Sequence, residues 1–130
     1  RYPGMLKRRR DIIERYDRAL KPLGVKVLPH YTDEHESSGH LYITEIPNVS
    51  YEQRGEIINK MAEREIACNV HYKPLPMHTA YKELGFDIKD YPNAYNHFAH
   101  EITLPLHTCL TDEQVQYVID NFVDILREYL

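Results

Sequence analysis

His71 and Tyr72 stand side by side where the apolar stretch Ile66 to Val70 gives way to Lys73-Pro74-Leu75-Pro76. A strand handing over to a turn is a common position for functional groups. There an imidazole and a phenol can hydrogen-bond a hydroxyl or a diphosphate and stack on a ring. The same two residues also suit a strand-end histidine and a packed tyrosine satisfied inside the fold. Residue type and position alone leave both readings open.

Histidine also raises the question of metal. His97 and His100 are spaced i, i+3, and His30, His35 and His40 follow at intervals of five around Asp33, Glu34 and Glu36. Zinc sites use compact pairs such as HxxxH or CxxC with a third ligand fixed by the fold. Neither pair is present, so no metal ligand is assigned. The run Lys7-Arg8-Arg9-Arg10 invites a nucleic-acid reading, but Asp11, Glu14 and Asp17 follow it closely, as on a solvated helix face. Tyr31, Tyr42, Tyr51, Tyr72, Tyr81, Tyr91 and Tyr95 suit either a carbohydrate-stacking surface or the edge of a core with hydroxyls turned to water. No Ser-His-Asp, paired-carboxylate or Cys-His arrangement emerges, and no catalytic residue is assigned.

The elements that must hold these groups are legible in the spacing. Met5, Leu6, Ile12, Ile13, Tyr16, Ala19 and Leu20 recur near one-turn intervals, which predicts a helix from about Gly4 to Lys21, ended by Pro22 and Gly24. A short strand follows over Val25 to Leu28, then a polar loop from Tyr31 to Gly39. A half-buried strand is expected from Gly39 to Ile46, with Tyr42, Thr44 and Ile46 on one face. Ser50 with Gln53 forms a capping box that opens a second helix with the inner stripe Ile57, Ile58, Met61 and Ala62. Ile66 to Val70 reads as a strand. A helical turn is expected around Thr79 to Leu84, a short helix from Pro92 through Ala99, and a strand from Glu101 to Leu104 stopped by Pro105. Thr111 and Gln114 make a second capping box, and Val115, Val118, Ile119, Phe122, Ile125, Leu126 and Tyr129 give the last helix a wide apolar face. The expected fold class is α+β: a two-layer domain with a small, mostly antiparallel sheet packed by three main amphipathic helices.

The bulk properties set the limits. At 130 residues, 42% hydrophobic and 28% charged, the chain suits one globular domain. Its net charge of −4 argues against a general nucleic-acid binder, which needs a surplus of Lys and Arg. No apolar run approaches the ~20 residues of a membrane span. Cys68 and Cys109 have no disulfide or CxxC spacing and both flank apolar residues, so buried free thiols in a reducing cytoplasm are expected. The chain opens at Arg1 in the middle of an amphipathic pattern, which suggests a cut fragment and equally fits a processed N-terminus.

Taken in order, several of these pieces form a series: Asn69-Val70-His71-Tyr72, Pro74-Leu75, Tyr81, then Ile102-Thr103-Leu104-Pro105-Leu106 and Leu110-Thr111-Asp112-Glu113. The series resembles the C-terminal part of the DegT/DnrJ/StrS sugar aminotransferases, which use pyridoxal phosphate on nucleotide-linked keto sugars. The opening RYPGMLKRRRDIIERYDRAL is similar to that family's long helix between its large and small domains, and the His40-Leu41-Tyr42 strand falls in the family's order. The resemblance implies an interdomain helix over residues 1–22 and a C-terminal small domain over residues 23–130. It also implies a large domain in cis, a homodimer, and an amino group moved from glutamate to the sugar. In the family, the stretch matching His71 and Tyr72 lies on the small-domain wall of the active-site cleft, so these two are the substrate-binding candidates. Pro76 and Met77 stand where the family often has His after Pro-Leu, and no contact is carried over there. Thr103, in place of a commoner small residue, reads as a minor departure.

The cofactor itself needs a Schiff-base lysine, an acid at the pyridinium nitrogen and a phosphate cradle. The five glycines are isolated, and Ser37-Ser38-Gly39 precedes a strand rather than a helix. In the family the lysine belongs to the large domain, so Lys73 is not its counterpart. The chain alone is expected to bind no cofactor and to be inactive. A standalone α+β ligand-binding or protein-interaction module remains the alternative. The apolar faces of the first and last helices look wider than a small sheet can cover, and Met5, Leu6, Ile12 and Ile13 are expected to have met a neighbouring domain.

Overall fold

A computed structural model describes all residues, Arg1–Leu130. The first helix, α1, runs over Tyr2–Leu20 with Pro3 in its first turn, where a missing N–H costs nothing. Its stripe Ile12, Ile13, Tyr16 and Leu20 is sealed from solvent. Lys21–Leu23 tighten into a 3-10 turn, and Gly24, at φ +82°, ends it in the left-handed conformation that glycine adopts without strain. There follow β1 (Lys26–Val27), β2 (Tyr42–Glu45), α2 (Tyr51–Glu63), α3 (Thr79–Glu83), α4 (Pro92–His100), β3 (Glu101–Leu104) and α5 (Asp112–Leu126). Both capping boxes form, with Ser50 and Gln53 opening α2 and Thr111 and Gln114 opening α5.

The sheet has the order β1-β2-β3 and both pairings are antiparallel. Tyr42 faces Leu104 and Thr44 faces Ile102, and this surface packs on α1, α2 and α5. Ile57, Met61, Val115, Phe122 and Ile125 complete the core. On the other surface Ile43 lies opposite Thr103 and Glu45 opposite Glu101. The architecture is the expected two-layer α+β arrangement. No helix is long and apolar enough to cross a membrane.

Four local expectations are corrected. Ile66 to Val70 makes only an isolated bridge, Asn69 to Thr103, instead of a strand. Two of its backbone donors are engaged elsewhere: Ile66 N–H reaches back to Met61 O, and Val70 N–H to the Asn69 side chain. In α2, Ala62 is exposed and Arg54 is buried instead, its guanidinium lying over the rings of Tyr51 and Phe98. Cys109 is exposed, whereas Cys68 is largely covered and burial pushes its thiol up to about 12. Ile12 and Ile13 do not await a neighbour, because the chain's own core buries them completely. Met5 and Leu6 are half-buried.

The loop before β2 is drawn onto α1. A Cβ on Gly39, at φ +64°, would sit 3.0 Å from Arg9 Cβ and 3.0 Å from Ile13 Cδ1, so glycine alone fits there. The basic run on α1 is used within the fold. Lys7 pairs with Asp11, Arg8 with Asp112, Arg9 with the Ser38 carbonyl, and Arg10 with Glu14.

Candidate functional site

The site is built on the surface of the sheet turned away from the helical core. Residues two apart on a strand share a face, so Glu101 and Thr103 project together while Ile102 and Leu104 enter the core. Glu101 is fully buried and Thr103 nearly so. The Thr103 hydroxyl donates to one oxygen of the Glu101 carboxylate in a close hydrogen bond. The other oxygen accepts the backbone N–H of His71 at 2.9 Å. His71 closes the group, with Nδ1 2.9 Å from Thr103 Oγ1.

A buried carboxylate is stable only when its lone pairs are engaged. Here two hydrogen bonds hold Glu101, and no Lys or Arg pairs with it. Its cross-strand neighbour Glu45 would repel it, and Glu45 is engaged by a close hydrogen bond to Nδ1 of His97 on α4. A shallow hollow of about 230 Å³ lies alongside, bounded by Lys26, Val27, Leu28, Ile43, Glu45 and His97.

His71 and Tyr72 are brought together as an edge-on aromatic pair, with ring centroids 4.6 Å apart and planes at 84°. His71 is half-buried, and Tyr72 is 73% exposed. One side chain is thus anchored to the sheet, while the other offers its ring to solvent. Beyond them the Pro74 turn borders an apolar hollow of about 440 Å³ that includes Leu75, Tyr81, Phe86 and Tyr91. Lys73 is exposed, next to this turn.

The remaining histidines do not converge. His30 is buried, stacked on Tyr42 at 5.9 Å between centroids and bonded to Ser37, and burial lowers its pKa. His35 bonds to Thr32 and the Pro29 carbonyl, and His100 to the Asn96 carbonyl. Sequence reasoning missed the part played by Glu101 and took Thr103 as a minor departure. The signal was present in Glu-Ile-Thr-Leu, where two polar residues alternate with two apolar ones.

The DegT/DnrJ/EryC1/StrS aminotransferase family model matches residues 1–123. The chain belongs to that family. It is 31% identical over 130 residues to the spore coat polysaccharide biosynthesis protein SpsC of Bacillus subtilis, covering 98% of this chain and 33% of SpsC. It is 32% identical over 129 residues to the dTDP-4-dehydro-2,3,6-trideoxy-D-glucose 4-aminotransferase of Saccharopolyspora spinosa, covering 98% of this chain and 32% of that enzyme. Among solved structures, Spr1654 of Streptococcus pneumoniae, provisionally named a sugar aminotransferase, superimposes in its PLP form with a TM-score of 0.96. The identity there is 52%, covering 100% of this chain and 33% of Spr1654. The chain thus spans about a third of the length of the relatives it matches.

The residues present do not by themselves fit pyridoxal phosphate. No lysine is buried, and Lys7, Lys21 and Lys60 are paired with Asp11, Asp17 and Glu128. At the starts of α2 and α5 the Ser50, Gln53, Thr111 and Gln114 amides are engaged by the capping-box side chains. Ser37 is engaged by His30 and Gly39, so Ser37-Ser38-Gly39 offers no cradle for a phosphate.

Proposed function

We propose that the chain is the C-terminal small domain, residues 23–130, of a pyridoxal-phosphate-dependent sugar aminotransferase, with residues 1–22 the helix that leads into it from a large domain. The observation that carries this reading is the superposition of the whole chain on a third of Spr1654, a protein solved in PLP and PMP forms. The complete protein transfers an amino group from an amino acid, glutamate, to a keto sugar carried on a nucleotide, and works as a cytoplasmic homodimer. The cofactor, held by the large domain, supplies the electron sink for the transfer. This chain's share is to bind and orient. His71, anchored through Thr103 and Glu101, holds a polar group of the sugar, and the open ring of Tyr72 gives the sugar a face to stack on.

One observation favours a second reading, a standalone binding module: Ile12 and Ile13 are fully buried by the chain's own core. The two readings separate in an assay of the complete protein with glutamate and a nucleotide-linked keto sugar. Amino sugar and 2-oxoglutarate formed in equal amounts support the aminotransferase. No transfer to any nucleotide-linked keto sugar, from a protein that folds and holds its cofactor, contradicts it.

A further inference from the structure

The order of donors around Glu101 fixes more than the position of His71. A hydroxyl carries one proton and two lone pairs. Thr103 gives its proton to the Glu101 carboxylate, so toward His71 it has only a lone pair to offer. The atom of His71 that meets it, Nδ1, must therefore carry a proton. In the neutral ring this leaves Nε2 bare. That nitrogen has no partner in the protein and is not among the buried unpaired atoms, so it reaches solvent.

We infer that Glu101 and Thr103 are positioning residues that hold neutral His71 as its Nδ1–H tautomer and present Nε2 as a hydrogen-bond acceptor. A bare nitrogen accepts from a sugar hydroxyl or an amide N–H. It has nothing to give the oxygens of a diphosphate, which offer lone pairs only. Resting on the proposed sugar-facing wall, this assigns His71 to the sugar part of a nucleotide-linked substrate and not to its diphosphate.

The tautomer is read directly from long-range ¹H–¹⁵N spectra of the ¹⁵N-labelled chain without ligand, above the pH at which the ring titrates. His71 is assigned by the signals lost in His71→Gln. The expected pattern is a pyrrole-type Nδ1 and a pyridine-type Nε2, the opposite of the form free histidine favours. Thr103→Ser keeps the hydroxyl and should keep the pattern, whereas Thr103→Val should lose it. Glu101→Gln is the sharper variant. Its carbonyl can accept from the His71 N–H while its amide donates to Thr103, which turns the Thr103 proton onto Nδ1 and moves the ring proton to Nε2. The shape is unchanged and the two nitrogen signals exchange, an effect that a merely structural role would not produce. A pyridine-type Nδ1 in the unsubstituted chain, or a pattern that survives both Thr103→Val and Glu101→Gln, overturns the inference.

In the complete protein, His71→Ala should raise the sugar KM roughly ten- to a hundredfold and leave the inhibition constants of UDP and dTDP unchanged. If those constants rise in step with the KM, His71 serves the diphosphate and the assignment to the sugar is wrong, although the wall reading stands. If neither changes, the wall reading fails with it. The ligand-free spectra still decide independently whether the tautomer is set as described.

Discussion

Thr103 and Thr44 lie on opposite faces of the same small sheet, both buried, and differ in what their hydroxyls serve. Thr44 donates to the Ile102 carbonyl at 2.6 Å, an uncharged bond. Thr103 donates to the buried Glu101 carboxylate and meets His71 Nδ1 at 2.9 Å. Valine keeps the β-branched shape and suits a strand, so replacing either threonine isolates the hydroxyl. For Thr44→Val the loss is that of one neutral hydrogen bond, ~0.5–1.5 kcal/mol. For Thr103→Val a bond to a charged acceptor is lost, ~1.5–3 kcal/mol, and Glu101 has no water to replace it. The second bond adds less, because His71 is half-buried and can turn to solvent. The sum for Thr103→Val is therefore ~2–4 kcal/mol, against ~0.5–1.5 for Thr44→Val. Urea unfolding of both variants, compared at equal m-values, measures the difference. If Thr103→Val is no more destabilising than Thr44→Val, Glu101 does not depend on Thr103, and the network that anchors His71 is not there.

Incubation of the chain with pyridoxal phosphate and borohydride should give no stoichiometric adduct, since no lysine lies in a phosphate cradle; one fully labelled lysine would contradict that. A thiol reagent should modify Cys109 in the folded chain and leave Cys68 unreacted until urea unfolds it, because burial holds the Cys68 thiol protonated; equal rates for both would show that the Cys68 region opens freely. His30 ties stability to pH. Burial, with the charge of Lys21 acting in the same direction against that of Asp17, lowers its pKa below the ordinary 6.5. Between those two values the unfolded chain binds more protons than the folded one, so the stabilisation is complete above about 6.5 and falls away as pH drops through the lowered value. Urea midpoints measured across that range should slope less in His30→Gln; an identical slope would mean that His30 is not the group responsible.

What the sequence made legible was local. The seam of α5 and its Thr111–Gln114 box need only helical spacing and nearby donors, and β3 needs only Pro105 to stop it. The alternation in Glu-Ile-Thr-Leu was equally local and went unread, because an acid at the start of a strand looks like an exposed end. Burial of Glu101 depends on β2 on one side and the backbone of His71 on the other. The covering of α1 was out of reach for the same reason. It comes from elements some 90 to 100 residues away, where Arg8 meets Asp112 and the Tyr16 hydroxyl donates to the Pro105 carbonyl. Ile66 to Val70 had the composition of a strand, but the Ile66 N–H goes to α2 and the Val70 N–H to the Asn69 side chain, so only Asn69 bridges to β3.

The two halves of the transfer reaction test the sugar-facing wall most directly. If the proposed function holds, the complete protein would take up the amino group from glutamate in a first half that does not involve the sugar and would deliver it in a second half that does. His71→Ala and Tyr72→Phe should leave the glutamate half-reaction at its unsubstituted rate. His71→Ala should raise the KM for the sugar roughly ten- to a hundredfold with a smaller effect on turnover, the signature of lost binding outside the reacting carbon. Tyr72→Phe, which keeps the stacking ring, should have the smaller effect of the two. Unchanged sugar kinetics in both variants, or a loss confined to the glutamate half-reaction, would contradict the placement of these residues against the sugar.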